Sequence, residues 1–284
     1  MTEKEQSDSS AQAQIYAREL ALIYKQEKAK RKELEEAYRL LAEEKKALHH
    51  EKKQLLAYAK DFRELYQEQQ QTLLKLKAAN LETIYCLSNA AEHRDSDTGD
   101  HLQRMSHYSM LIAKTMGWSD EQAERLKHAS PMHDIGKIGI NDAILFKPGP
   151  YTDDEFEIMK RHTTIGYQIL KDSESDLLQL GAVIAWTHHE KYDGSGYPRM
   201  LKGDAIPIEG RIVAIADVYD ALRTVRVYKP AFTRTKALAI MAKGDGSHFD
   251  PVIFDAFMSS LEQIETFRAT LEKESDANTH IKTR

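Results

Sequence analysis

The stretch Arg211-Ile212-Val213-Ala214-Ile215-Ala216-Asp217-Val218-Tyr219-Asp220-Ala221-Leu222 decides the fold class. Its first seven residues are apolar enough to be a buried strand, which would put a sheet at the centre of the molecule. The run continues unbroken to Leu222, and that combined length favours a buried helix. No alternating apolar–polar pattern stands out elsewhere, so the surrounding region is expected to be all-α. Helix-period runs alternate there with loops such as Lys147-Pro148-Gly149-Pro150 and Asp193-Gly194-Ser195-Gly196-Tyr197-Pro198, rich in the residues that punctuate helices.

Upstream the texture differs. Residues 1–98 contain neither glycine nor proline and are dominated by Ala, Leu, Glu, Lys, Gln and Arg, the stronger helix formers. Leu34, Leu41, Leu48, Leu55 and Phe62 recur every seven residues, as one seam of a coiled coil does. The second seam, Tyr38, Lys45, Lys52, Ala59 and Tyr66, carries two lysines, which lower stability but can fix register or oligomer state. The reading is a long N-terminal coiled-coil helix over 1–79 that forms a parallel homodimer, preferred to a single solvated helix. A second domain follows over 80–270. The charged and polar tail over 271–284 is expected to be disordered.

Bulk properties narrow the class. The formal net charge is −5 over 284 residues, without the basic surplus by which proteins grip a nucleic acid polymer. The single cysteine, Cys86, excludes an intramolecular disulfide and fits a reducing compartment. It lies in Ile84-Tyr85-Cys86-Leu87 and reads as a small core residue. No apolar run approaches the ~20 residues of a membrane span, and the polar N-terminus lacks the order of a signal peptide. The expectation is a cytoplasmic protein without membrane contact.

Chemistry concentrates in histidines and aspartates. His133-Asp134 and His188-His189 are adjacent pairs; His101 lies upstream, His162 between the pairs, and Asp217 closes the series. Imidazole with carboxylate suits divalent first-row metals. Neighbouring ligands on an α-helix diverge by about 100°, so each pair tends to serve neighbouring ions, and Asp134 is the natural bridge. Seven ligands exceed the needs of one ion. Paired ions ~3.5–4 Å apart are the usual device for phosphoester hydrolysis. His49, His50, His93, His107, His128 and His280 read as ordinary core or surface residues.

His133-Asp134-Ile135-Gly136-Lys137 resembles the hallmark of the HD superfamily of metal-dependent phosphohydrolases. His188-His189-Glu190-Lys191-Tyr192-Asp193-Gly194-Ser195-Gly196-Tyr197-Pro198 resembles the signature of its HD-GYP branch. The resemblance extends from about Asn80 to Phe257. It takes in Arg94-Asp95, Thr98-Gly99-Asp100-His101 with Arg104, Lys160-Arg161-His162, Ile165-Gly166, Arg211 to Asp217, and Gly246-Ser247-His248-Phe249-Asp250-Pro251.

The resemblance implies an all-α, HD-type helical bundle behind the long helix. It also implies hydrolysis of cyclic di-GMP to pGpG or onward to GMP. By position it assigns His101, His133, Asp134, His162, His188, His189 and Asp217 as ligands of two or three divalent ions, iron or manganese. Lys137, four residues after His133, would lie one helical turn along and face the scissile phosphate; with Asp134 it forms the catalytic pair. Lys137, Arg226 and Lys229 match substrate-holding positions, and the Asp193–Pro198 loop is a place for contacts with partner signalling domains.

This sequence departs from the family pattern at three places. Asp97 stands where some members carry a glutamate linked to a third metal, and serves either as a ligand or as a helix cap. Val225 and Val227 flank Arg226 in place of the usual Asp and Pro. Met200 replaces a common glycine. Two alternatives accompany the leading function: hydrolysis of another cyclic dinucleotide such as cyclic GMP-AMP, and a low-turnover nucleotide-binding signalling adaptor.

Overall fold

The computed structural model describes the backbone of residues 3–92, 100–225 and 230–282, and the side chains of residues 12–92, 100–225 and 230–274. The chain divides into two compact units, Met1–Leu76 and Lys77–Arg284. Its helices are α1 (Glu3–Glu92), α2 (Asp100–Thr115), α3 (Asp120–Ala129), α4 (Asp142–Leu145), α5 (Asp153–Leu170), α6 (Asp176–Thr187), α7 (Ile208–Arg223), α8 (Arg234–Met241) and α9 (Pro251–Lys282). A ten-residue 3₁₀ segment, Ser130–Gly139, follows α3 directly. The described residues contain no strand, only an isolated bridge between Asp245 and Phe249.

In the first unit the described side chains of α1 are all exposed. Leu34, Leu41, Leu48, Leu55 and Phe62 are each 56–71% exposed, so the heptad seam stands as an apolar stripe in water.

The second unit is a bundle whose centre is α7, packed against α2, α6, α8 and α9. That position explains the strand-like run that decides the fold class. A helix covered on all sides has no polar face to advertise its period, and Ile212 to Ala216 are all buried. Tyr219 meets Tyr108 of α2 and Phe257 of α9 edge to face, at ring separations of 6.1 and 5.0 Å. Gly210 lets the first turn of α7 cross the end of α6, because a Cβ there would sit 2.1 Å from the Thr187 hydroxyl. Capping boxes start α3 (Ser119 with Gln122) and α5 (Thr152 with Glu155), each satisfying two backbone N–H groups that would otherwise lack partners.

Three expectations are corrected. Cys86 is exposed, not core. The buried face of that part of α1 runs through Tyr85, Ser88, Ala91 and Glu92, and Cys86 lies about 100° round the helix from Tyr85. The segment 271–282, expected as a disordered tail, continues α9; it has no glycine or proline, and Arg268 pairs with Glu272 one turn on at 3.0 Å. The third concerns Lys137 and belongs to the site.

Candidate metal centre

Four elements of the second unit deliver the histidines. His101 is the second residue of α2, His133 and Asp134 lie on the 3₁₀ segment, and His162 is on α5. His188 caps the C-terminus of α6 with His189 next to it. The 3₁₀ segment and α5 approach at glycines: a Cβ on Gly136 would lie 1.9 Å from the His162 carbonyl oxygen and 2.4 Å from the Gly166 nitrogen. The glycine of His133-Asp134-Ile135-Gly136-Lys137 is therefore a spacing requirement that brings Asp134 to His162.

The carboxylate of Asp134 faces two ways. Its Oδ1 lies 3.1 Å from His162 Nε2 and 3.5 Å from His188 Nε2; its Oδ2 lies 3.2 Å from His133 Nε2 and 2.8 Å from Lys137 Nζ. Potential ligand atoms fall into two corners, each within 4.8 Å: Asp134, His162, His188 and His189 in one, Glu92, His101 and His133 in the other. Asp217 Oδ1 stands 3.6 Å from His101 Nε2.

Sequence reasoning expected Lys137 one α-helical turn from His133. In a 3₁₀ helix residues i and i+3 eclipse, so Lys137 lies over Asp134 instead. Its ammonium also comes within 3.6 Å of Glu92 Oε1.

The ring nitrogens have fixed roles. Nδ1 of His133 donates to the Ser130 carbonyl at 3.1 Å, Nδ1 of His162 to Met159 at 2.7 Å, and Nδ1 of His188 to Ile184 at 3.1 Å. A carbonyl accepts only from a protonated nitrogen, so the lone pair of each neutral ring sits on Nε2. All three Nε2 atoms are buried and lack hydrogen-bond partners among the described residues, as does Asp134 Oδ1. Buried polar atoms rarely go unsatisfied; three converging lone pairs and a carboxylate oxygen fit a divalent cation.

His101 is held differently. Its Nδ1 donates to Asp220 Oδ2 at 2.8 Å, and Asp220 accepts from Arg104 Nε at 2.7 Å and Nη2 at 2.9 Å. Arg268 Nη1 adds a contact at 3.4 Å. Such a carboxylate behind a ligating imidazole fixes its orientation and raises its basicity.

Burial opposes the charge of Asp134, but Lys137 and His133 outweigh it and hold the carboxyl well below its usual range. Burial likewise opposes protonation of His133, yet Asp134, Asp217 and Glu92 raise its pKa to about 9; without an ion Nε2 carries a proton, and a bound cation would take that proton's place on the lone pair. His189 goes the other way: burial and the adjacent His188 and His162 rings push it well below the ordinary value.

Outside the ligand shell, Tyr197 lies against His189 with ring centroids 4.7 Å apart. Its loop is tied at the base by Glu190, which accepts from the backbone N–H groups of Arg199 at 2.7 Å and Leu201 at 3.0 Å. Backbone bonds from Tyr192 to His248 and from Asp193 to Ser247, at 3.2 and 2.8 Å, join it to the Gly246–Pro251 motif.

Thus the structure brings together His101, His133, Asp134, Lys137, His162, His188, His189 and Asp217. Asp97, Arg226 and Lys229 lie outside the described residues. Sequence reasoning missed Asp220 and Glu92. An acidic residue three positions after Asp217 in an apolar run was a usable signal for the first; Glu92, at the end of a charged helix, offered none.

The profile of the HD domain family matches residues 85–253. Over 201 residues the chain is 46% identical to the cyclic di-GMP phosphodiesterase response regulator RpfG of Xanthomonas campestris pv. campestris (strain 8004), covering 71% of this chain and 53% of that protein. It is 44% identical over 198 residues to a cyclic di-GMP phosphodiesterase of Thermotoga maritima, covering 69% and 54%. It is 41% identical over 204 residues to the 3'3'-cGAMP-specific phosphodiesterase 2 of Vibrio cholerae serotype O1, covering 72% and 39%. The chain therefore spans about half, or less, of the length of these relatives. Among solved structures, the cyclic GMP-AMP phosphodiesterase V-cGAP3 of V. cholerae superposes with a TM-score of 0.52 at 19% identity, over 64% of this chain and 48% of that one; that likeness concerns the fold alone.

Proposed function

Because the chain belongs to the HD domain family, in its HD-GYP branch, we propose that it is a metal-dependent phosphodiesterase hydrolysing cyclic di-GMP to pGpG or GMP. The observation that carries this reading is the convergence of three buried, unpartnered Nε2 atoms on Asp134 beside Lys137. His101, His133, Asp134, His162, His188, His189 and Asp217 are the proposed ligands of two or three divalent ions, iron or manganese. Bound ions supply an activated water and charge for the phosphoryl oxygens.

The chain's own residues do the rest. Asp134 presents one oxygen to each corner and fixes Lys137. The ammonium, nearly buried, is held in place by carboxylates before substrate arrives. It thus meets developing phosphoryl charge without reorganisation, the condition under which such a group accelerates reaction. Arg226 and Lys229 are proposed to grip the outer phosphate and base, and Asp97 to serve a third ion or cap α2.

The exposed seam Leu34 to Phe62 supports the proposed homodimer through residues 1–79. A long apolar stripe left in water marks an association surface, and a coiled coil can bias two catalytic units between arrangements. No helix among the described residues is long and apolar enough to cross a membrane; the cytoplasmic placement is proposed from the sequence.

A second substrate, 3'3'-cGAMP, is favoured by the relative that is 41% identical and named for it. The test is hydrolysis of both dinucleotides side by side by anaerobically purified, metal-assayed protein, with His133→Ala and Asp134→Ala as controls. The expected result is pGpG or GMP from cyclic di-GMP, with each variant slower by about a hundredfold or more. Preferential cleavage of 3'3'-cGAMP would move the substrate to the second reading, and intact dinucleotides with full metal loading would overturn the enzyme.

A further inference from the structure

Glu92 lies in the last turn of α1 with only 2% of its surface exposed. This is a poor place for a carboxylate on two counts. Burial penalises its charge, and the negative end of the helix dipole repels it; the last turn carries no basic residue in compensation. A residue that breaks local rules in this way and is nonetheless well packed around (Ala91 and Ser88 are buried beside it, and Tyr85 bonds Ser106 at 3.1 Å) marks a functional position.

Lys137 answers only part of the charge. Its Nζ is 2.8 Å from Asp134 but 3.6 Å from Glu92, so the tighter bond goes to Asp134. Asp217 Oδ1 stands 3.6 Å from His101 Nε2 on the same side of the centre, whereas Asp220 is already matched by Arg104 and Arg268. Carboxylates from α1, the 3₁₀ segment and α7 thus face one small polar space, a setting that suits a divalent cation. The carboxylate shares a 4.8 Å corner with His101 and His133, and His133 Nε2 in that corner is fully buried and unpartnered.

We infer that Glu92 is a metal ligand, supplying the oxygen of the His101–His133 corner from the end of the long helix. The inference rests on the metal-centre reading above and adds to it a carboxylate nine residues before His101. It joins the last turns of α1 chemically to the centre: an ion in this corner is held in part by α1, so its affinity depends on how those turns are seated.

The test is Mn²⁺ titration of the chelator-stripped full chain, followed by calorimetry and electron paramagnetic resonance, for wild type, Glu92→Gln and Lys137→Met. The expected result is that Glu92→Gln weakens one class of Mn²⁺ site by about tenfold or more, alters the spectrum of that site, and leaves the metal-free protein as heat-stable as wild type. Lys137→Met should keep that site. Unchanged stoichiometry, affinity and spectrum in Glu92→Gln would overturn the inference and leave Glu92 as the partner of Lys137. If wild type itself takes up no Mn²⁺, the underlying metal-centre reading fails instead. Should Glu92→Gln not fold, Glu92→Asp, which retracts the charge by one methylene, decides: a weakened site supports ligation, and wild-type affinity overturns it.

Discussion

The two corners of the centre are built by opposite means. In the corner of Asp134, His162, His188 and His189, the imidazoles of His162 and His188 are keyed by carbonyls three or four residues back in their own helical turns. In the corner of Glu92, His101 and His133, His101 is set by Asp220, which lies 119 positions away and is itself held by Arg104 and Arg268. In the first corner the ring orientations are local, set once each helix forms, and close packing at Gly136 brings them to Asp134. In the second, His133 is keyed locally by Ser130, but His101 and Glu92 join it only after α1, α2, α7 and α9 have packed. One consequence is that the corners should fail separately.

The largest effect is expected at the distant corner. Asp220→Asn removes the carboxylate that pairs with Arg104 inside the bundle, and breaking such a buried pair costs about 3–5 kcal/mol. Urea unfolding should show that loss. Metal titration should show weakening by about 10–100-fold at one class of site with the other retained. Equal weakening of both classes would break the comparison.

Next comes Gly136→Ala, aimed at the local corner. Its new methyl would collide with backbone atoms of α5, which cannot turn aside as a side chain can, so a loss of about 3 kcal/mol is expected. For a domain of this size that is a fall in Tm of roughly 10 °C. The Asp134–His162 approach should open while the His101–Asp220 bond survives, an outcome visible as loss of the opposite class of metal site. A melting temperature within a degree or two of wild type would contradict the spacing argument.

The smallest effect tests what seats α2. His107 stacks on Phe267 of α9 at a ring separation of 3.6 Å. Burial, then nearby Lys127, lowers its pKa from 6.5 to about 4. The unfolded chain therefore takes up a proton that the folded chain refuses, and stability present above pH 6.5 is lost as pH falls toward 4. After allowance for solvent screening of this half-buried ring, the loss is roughly 1 kcal/mol. His107→Leu should flatten that part of the pH profile of urea stability by the same amount; an unchanged profile would show that the stack does not resist protonation.

The same contrast explains what could be read from the sequence. His133-Asp134 and His188-His189 announce themselves because their meaning is carried by neighbours in the chain. The helical nature of residues 211–222 was legible from length alone. The 3₁₀ winding of Ser130–Gly139 was not, and so Lys137 was placed one turn along from His133 rather than over Asp134. Glu92 acquires its place only through packing, and neither spacing nor composition distinguishes it from an ordinary helix acid; Asp220 left one trace, an acid three positions after Asp217 within an apolar run. Cys86 was misplaced for a related reason: a short apolar run does not say which of its residues turns inward.

Glu190 bears on how the chain can vary. Closing the segment from 190 to 199 costs about 2 kcal/mol of loop entropy, and the two backbone hydrogen bonds that this carboxylate accepts contribute roughly 1 kcal/mol each. The closure is thus offset in large part at the base of the loop, where the His189 carbonyl also accepts from the Tyr197 N–H at 3.2 Å. In evolutionary terms the exposed tip at Ser195 can be exchanged to suit different neighbours, while Gly194, at φ +88°, is held to glycine and the two histidines that precede Glu190 keep their places.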